Sequence, residues 1–257
     1  MIAELALIAA AVREKVLSLP VSTDIGAELC MGADGTPTSL IDKIAEDVIL
    51  EKLDELGLDV NVLSEEAGYI DRGGTKTLVM DPVDGTFNCI MGLPLYTVSL
   101  AVGTGSLQDI EHAFVQNIVT GDVYQASKGK GAFKNGQRIH VKQLTGVRGV
   151  TLMYLGRYAA QRTYKAARAS QRSRSFGCSS LEMCLVAEGK ADAFLLDCEL
   201  YEKSIRIVDI AASALILREA GGKLIDLEGN DLDMPFDLAT RANFLAYGDE
   251  RMREALL

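Results

Sequence analysis

The stretch Thr77-Leu78-Val79-Met80-Asp81-Pro82-Val83-Asp84-Gly85-Thr86 decides how this chain is read. Its apolar opening has the length and composition of a short buried strand. That strand delivers Asp81 and Asp84 on either side of Pro82, which fixes φ and aims the Val83 carbonyl inward. Gly85 carries no Cβ, so an anion can approach the backbone there. Where Thr86 opens a helix, free N–H groups and the helix dipole add attraction for a phosphate. Upstream, the acidic pair Glu65-Glu66 follows another apolar run at 60–63. Two loops therefore offer four carboxylates with no basic residue beside them in sequence. Hard oxygen donors in this pattern suit Mg²⁺, which binds through a few carboxylates and keeps positions for water and substrate phosphate. An Asx turn capping a helix would explain Asp-Gly by itself, and adjacent acids at a strand end are usually solvated. The coincidence of both loops favours metal.

The 257 residues suffice for one large α/β domain or two joined lobes. Hydrophobic residues make up 48% and charged residues 24%, which is ordinary globular composition. A formal charge of −10 argues against nucleic acid as the main partner, because such binding needs Lys and Arg to neutralise phosphates. Five cysteines without a Cys-x-x-Cys pair, and only His112 and His140, make a structural zinc site a poor reading. Reduced cytoplasmic thiols are the simplest expectation. The apolar run at 5–12 is too short to cross a bilayer. Its residues Leu5, Ile8, Ala9, Val12 and Val16 predict an amphipathic helix, so no membrane partner is expected.

A turn-rich cluster at 32–38, containing Asp34 and Thr38, precedes a helix predicted over 39–56. This cluster reads either as a mobile lid or as a plain surface loop. Strands are expected at 60–63, 77–80, 96–103, 110–118 and 122–126, with a glycine-rich turn over 129–136. Beyond residue 140, strands at 150–155 and 191–196 alternate with helices at 159–169, 179–188 and 209–220, and another strand begins at 223–225. This pattern predicts a meandering α+β lobe over 1–140 beside an α/β lobe over 141–257, the two forming one structural unit.

Three ordered carboxylate motifs then carry a resemblance. Ser64-Glu65-Glu66, the Asp81 to Asn88 run, and Val208-Asp209-Ile210-Ala211-Ala212 with Glu219-Ala220-Gly221-Gly222 resemble the inositol monophosphatase family. The 32–38 cluster and the chain length look most like its archaeal branch of combined fructose-1,6-bisphosphatases and inositol-1-monophosphatases. The resemblance implies a layered α-β-α-β-α sugar-phosphatase fold, a cytoplasmic homodimer and a small phosphorylated sugar or polyol as substrate. It further implies a place in carbohydrate metabolism such as gluconeogenesis, and two or three Mg²⁺ ions, with Mn²⁺ as a substitute. Glu65, Asp81, the Val83 carbonyl, Asp84 and Asp209 would hold the ions, and Glu66 would stand behind them. Asp42 and Thr86 would align and deprotonate the attacking water, with Glu65 also in the catalytic set.

Plainer roles stand beside several of these. Asp209 opens an apolar helix and would serve as its N-cap, although an acid among Ile205, Ile207 and Ala211 is expected to be buried and in need of a cation. Asp42 would otherwise be a solvated helix-face acid. For the substrate, Asp84, Gly85 and Thr86 would hold phosphate oxygens, and Gly177 and Ser179 fall where the family lines the sugar site with backbone. Arg174 and Lys203 have the chemistry for phosphate, and Glu202 stands where some relatives hold a hydroxyl. The segment 196–203 departs from the family pattern, which leaves the substrate open. A phosphatase for 3′-phosphoadenosine 5′-phosphate or NADP is the alternative, weakened by the absence of Trp and by only 6% aromatics. A catalytically silent metal-binding scaffold is the reading from a different class.

Overall fold

Leu5, Ile8, Ala9, Val12 and Val16 form the buried stripe of α1 (Ile2–Leu17). A hairpin of β1 (Glu28–Met31) and β2 (Pro37–Ser39) leads into α2 (Leu40–Glu55), whose N-cap Ser39 accepts from the Asp42 N–H. The computed structural model describes residues 1–33, 35–143 and 149–257.

An eight-stranded sheet follows, built from β3 (Val60–Ser64), β4 (Gly68–Ile70) and β5 (Lys76–Asp84), then, after the short α3 (Thr86–Ile90), β6 (Thr97–Gly103). It is completed by β7 (Ile110–Asn117), β8 (Val123–Ser127), β9 (Gly131–Lys134) and β10 (Gln137–Ile139). The spatial order is β10-β9-β8-β7-β6-β5-β3-β4, and only β3 and β5 run parallel. The chain then forms β11 (Thr151–Met153), α4 (Gln161–Ala169), β12 (Ser173–Arg174), α5 (Ser179–Ala187) and β13 (Ala193–Leu196). It closes with α6 (Ile207–Glu219), β14 (Lys223–Ile225), β15 (Phe244–Tyr247) and α7 (Glu250–Leu256). The second sheet has the order β12-β11-β13-β15-β14.

The two-residue period of the strands sorts side chains into layers. On β5, Leu78 and Met80 join α1 and α2 in one core, while Val79 joins α5 and α6 in another. Eleven of the thirteen residues of α6 are buried, so this helix is apolar all round and has no solvent face over most of its length. It lies against β5 to β9 on one side and β14 on the other, with α5 beside it. Small residues on the sheet, Ala101 and Ala113, belong to the core shared with α6 and allow close approach. A third cluster joins the far face of the second sheet to α4 and α7 through Met153, Ala166, Leu195 and Leu256. The layering is thus α-β-α-β-α, as the family resemblance implied.

Several local expectations change. Residues 129–136 are not only a turn: β9 occupies Gly131–Lys134, because Ala132 is buried in the sheet while Gly129 and Gly136 carry the positive-φ turns at either end. Helix α6 begins at Ile207, two residues before the expected start, so Asp209 sits inside the first turn and is not the N-cap. The second sheet is mixed: β11 runs parallel to β12 and β13, but β15 is antiparallel to β13 and β14. All five cysteines are free thiols, and no helix among the described residues is long and apolar enough to cross a membrane.

Ile210 is fully buried where α6 meets the sheet. Ile210→Ala is expected to lower stability by about 2–5 kcal/mol, read as a shifted urea midpoint with an unchanged slope.

Candidate metal centre and active-site cleft

Strand β5 pairs with β6 in register as far as Asp81↔Ser99, and pairing resumes at Asp84↔Thr97. One extra residue on the β5 side makes a β-bulge. Pro82 has no N–H to give the ladder, and a bulge is where a strand tolerates that. The bulge re-aims the two acids. The Val83 N–H returns to Asp81 Oδ1 at 3.0 Å, closing a tight acid-capped turn. Gly85 follows at φ 89°, and a Cβ there would sit 2.9 Å from the Leu95 carbonyl oxygen. Only glycine fits both constraints.

Carboxylate oxygens of Glu65, Asp81 and Asp209 lie within 4.8 Å of one another. They come from the end of β3, the β5 bulge and the first turn of α6. Asp81 is 4% exposed and Asp209 7%. Burial pushes the Asp81 carboxyl well above the usual carboxylate range, and the charges of Glu65, Asp84 and Asp209 add to the effect. The donor set is all oxygen, anionic and convergent, which fits a hard divalent cation.

A cation from the chain already faces this group. Arg206 Nη1 donates to Glu65 Oε1 at 2.7 Å, and its Nη2 and Nε donate to Asp209 Oδ1 and Oδ2 at 2.9 and 3.1 Å. The Asp209 carboxylate also accepts the Arg206 backbone N–H at 2.9 Å. Glu65, which lacks a basic neighbour in sequence, therefore has one in space, 141 residues away.

The Asp84 carboxylate, expected beside the other three acids, is turned onto the start of α5. Its Oδ2 accepts the backbone N–H of Ser180 at 2.6 Å and the Ser180 hydroxyl at 2.5 Å, while Cys178 Sγ lies 3.3 Å away. Burial pushes this carboxyl up to about 6, against the lowering effect of the Ser180 bonds. The same loop is held by two residues that sequence reasoning missed. Asn88 Nδ2 donates to the carbonyls of Phe176 and Leu95 at 2.7 and 2.8 Å. Glu182 Oε1 accepts the Phe176 N–H at 2.9 Å from a site only 3% exposed, and burial pushes its carboxyl up to about 8.

Thr86 Oγ1 lies 3.0 Å from Asp42 Oδ1 and 3.0 Å from the Val83 carbonyl oxygen. The fold thus brings together two residues that are 44 positions apart. The Ser39 hydroxyl donates to the other Asp42 oxygen at 2.6 Å, and burial raises the Asp42 carboxyl. One turn along α2, Glu46 is 2% exposed, accepts the Ser64 hydroxyl, and takes the Ala67 N–H at 3.1 Å. It fixes the loop that carries Glu65. An acid four residues after Asp42, between Ala45 and Ile49 on the buried face, was the available signal. Thr38 donates to Glu66, whereas Asp34 lies outside the described residues.

A cleft of about 330 Å³ opens beside the acids. Asp84, Gly177, Ser179, Glu202, Lys203 and Asp209 line it, all of them expected from sequence. Arg206, Arg241, Tyr154 and Thr36 line it as well and were not expected. Gly85 and Thr86, also expected from sequence, are not among the lining residues. Arg174 is exposed on β12, does not line the cleft, and donates to the neighbouring Ser173 carbonyl at 2.7 Å.

An anion-lined metal pocket opening on a cleft with Lys and Arg on its wall is the geometry of a metal-assisted phosphate-processing site. The sequence profile of the inositol monophosphatase family matches residues 2–256, and the chain belongs to that family. A fructose-1,6-bisphosphatase/inositol-1-monophosphatase from Methanothermobacter thermautotrophicus is 37% identical, over 95% of this chain and 91% of the relative. A solved inositol monophosphatase–fructose 1,6-bisphosphatase superposes with TM-score 0.86 at 31% identity, covering 99% of this chain and 97% of the other. A bifunctional NADP phosphatase/NAD kinase from Methanococcus maripaludis is 33% identical over 84% of this chain but only 41% of its own length.

Glu182 provides a test of how the loop is held. Because its folded pKa is raised, its contribution to stability is full below pH ~4.5 and is lost as pH rises toward about 8. Glu182→Gln keeps the acceptor for Phe176 and removes the titration. Urea unfolding at several pH values between 5 and 8 should show the variant gaining on the native protein by up to about 1.4 kcal/mol per pH unit. Parallel curves would rule this out.

Proposed function

We propose that this phosphoric monoester hydrolase acts on sugar and polyol phosphates, fructose 1,6-bisphosphate and inositol 1-phosphate among them, with Mg²⁺ as its metal. The observation that carries the reading is the convergence of Glu65, Asp81 and Asp209 oxygens within 4.8 Å beside the cleft. Their donor chemistry fits Mg²⁺, and family resemblance supports two or three ions with Mn²⁺ as a substitute. Glu65, Asp81 and Asp209 would hold them; family resemblance adds the Val83 carbonyl and Asp84, and Asp84 would have to give up its bonds to Ser180 to join. When bound, the metal lowers the pKa of water and offsets charge on the leaving oxygen.

The chain's own residues supply the rest. Thr86 is oriented by Asp42 at 3.0 Å, so its oxygen keeps a lone pair for the proton of the attacking water. Burial of Asp42 makes it a stronger base than a surface carboxylate, which suits it to receive that proton through Thr86. Gly85 and Thr86 offer backbone to phosphate oxygens at the turn after Asp84, a turn that only glycine closes because a Cβ at 85 would sit 2.9 Å from the Leu95 carbonyl oxygen. Lys203 and Arg241 face the cleft and meet phosphate oxygens, while Glu202, also on the wall, accepts from a sugar hydroxyl. The substrates named for the archaeal relative support the choice of fructose 1,6-bisphosphate and inositol 1-phosphate. Family resemblance supports a homodimer, a cytoplasmic setting and a role in gluconeogenesis.

Phosphate release should appear with both substrates in Mg²⁺ and vanish with a chelator. Release from NADP or 3′-phosphoadenosine 5′-phosphate alone would favour the nucleotide reading, and release from none would favour a scaffold. Asp42→Asn is expected to lower kcat by ~10²–10⁴-fold with the fold intact by circular dichroism. Near-native turnover in that variant would remove Asp42 from the mechanism.

A further inference from the structure

Arg206 is not a bystander to the acidic group. Its guanidinium forks onto both oxygens of Asp209, through Nη2 at 2.9 Å and Nε at 3.1 Å, and reaches Glu65 Oε1 through Nη1 at 2.7 Å. Its side chain is only 17% exposed, so water screens these contacts little. The two carboxylates come from different parts of the chain, the loop after β3 and the first turn of α6, and the guanidinium is the clip between them. Planar two-point pairing of this kind is specific to Arg, since a lysine ammonium cannot engage Asp209 through two fixed N–H groups while reaching Glu65.

A divalent cation held by Glu65, Asp81 and Asp209 draws on the same carboxylates, and both oxygens of Asp209 already accept from Arg206. Every electron pair that Glu65 Oε1 or Asp209 Oδ1 gives to a metal is weakened as an acceptor for Arg206, and the two cations repel at this range. We propose that Arg206 is a counter-ion built into the chain that competes with divalent metal for Glu65 and Asp209. It keeps the acidic pocket folded before metal arrives, and it lowers the apparent metal affinity in doing so. The proposal rests on the reading of these three acids as the metal site. In it Arg206 is a residue that sets metal occupancy, distinct from the groups that handle substrate.

The test is metal binding, measured without substrate. Mn²⁺ and Mg²⁺ titrations by calorimetry, with melting temperatures in chelator and in saturating metal, are run on the native chain, Arg206→Met and Arg206→Lys. Arg206→Met should melt lower in chelator, bind metal roughly 10-fold more tightly, and gain more melting temperature on saturation. Arg206→Lys, which keeps the charge without the fork, should fall between. Metal binding detected only in Arg206→Met is the extreme form of the same result. Unchanged or weaker binding in Arg206→Met would overturn the competition and leave Arg206 as a strut that positions the ligands. No binding in any of the three proteins would overturn both this proposal and the metal-site reading. Where Arg206→Met does not fold, the native chain suffices: the Arg206 Nε–H should lose its protection from solvent exchange as Mg²⁺ is added, and retained protection would refute the proposal.

Discussion

Burial of like charges at close range is the constraint on which the rest of this molecule depends. Glu65, Asp81 and Asp209 place oxygens within 4.8 Å in a pocket that excludes most water. At an effective dielectric constant near 20, two unit charges about 5 Å apart repel by about 3 kcal/mol, and burial adds to that. The raised Asp81 carboxyl expresses the conflict. Positive charge resolves it, whether from a divalent ion or from the guanidinium of Arg206. A protein keeps such a conflict where it serves a purpose, because packed apolar residues would be more stable in the same place.

Holding these groups together requires support from both sheets. The β5 bulge sets Asp81 and Asp84, three residues apart, facing different ways. Helix α6, enclosed along most of its length, brings Asp209 to the β5 side of the pocket. Behind two of the acids stand buried polar residues that fix the neighbouring loops: Glu46 for the loop of Glu65, and Asn88 and Glu182 for the loop that faces Asp84. These residues do not touch the cleft. They keep the reacting groups from drifting, which is what a site built on loops needs from the rigid elements beneath it.

The strands and helices around the acids were legible in sequence because their signals are local. The apolar run before Asp81, the helical spacing in α1, and the glycine stops after α2 and α5 each act within a few residues. What escaped was set by distance. Arg206 was passed over because its partner Glu65 lies 141 residues away, although its i,i+3 relation to Asp209 was readable. Glu182 offered a weak sign, as a lone acid in a helix with Leu181, Met183 and Cys184. The partner chosen by the Asp84 carboxylate, and the insertion of Phe244–Tyr247 between two strands of the second sheet, depend on tertiary pairing that no local pattern encodes. Arg174 fits phosphate by chemistry, but the fold leaves it on a sheet edge facing solvent.

The alanines beneath α6 carry a consequence of their own. Ala101 and Ala113 form part of the floor on which this helix rests, and the same helix carries Asp209 toward Asp81. The separation of these two acids is thus gauged by the thickness of methyl groups that are buried away from solvent. A larger side chain at either position would lift the helix and change the distance between Asp209 and Asp81, so a substitution hidden in the sheet is felt at the acids.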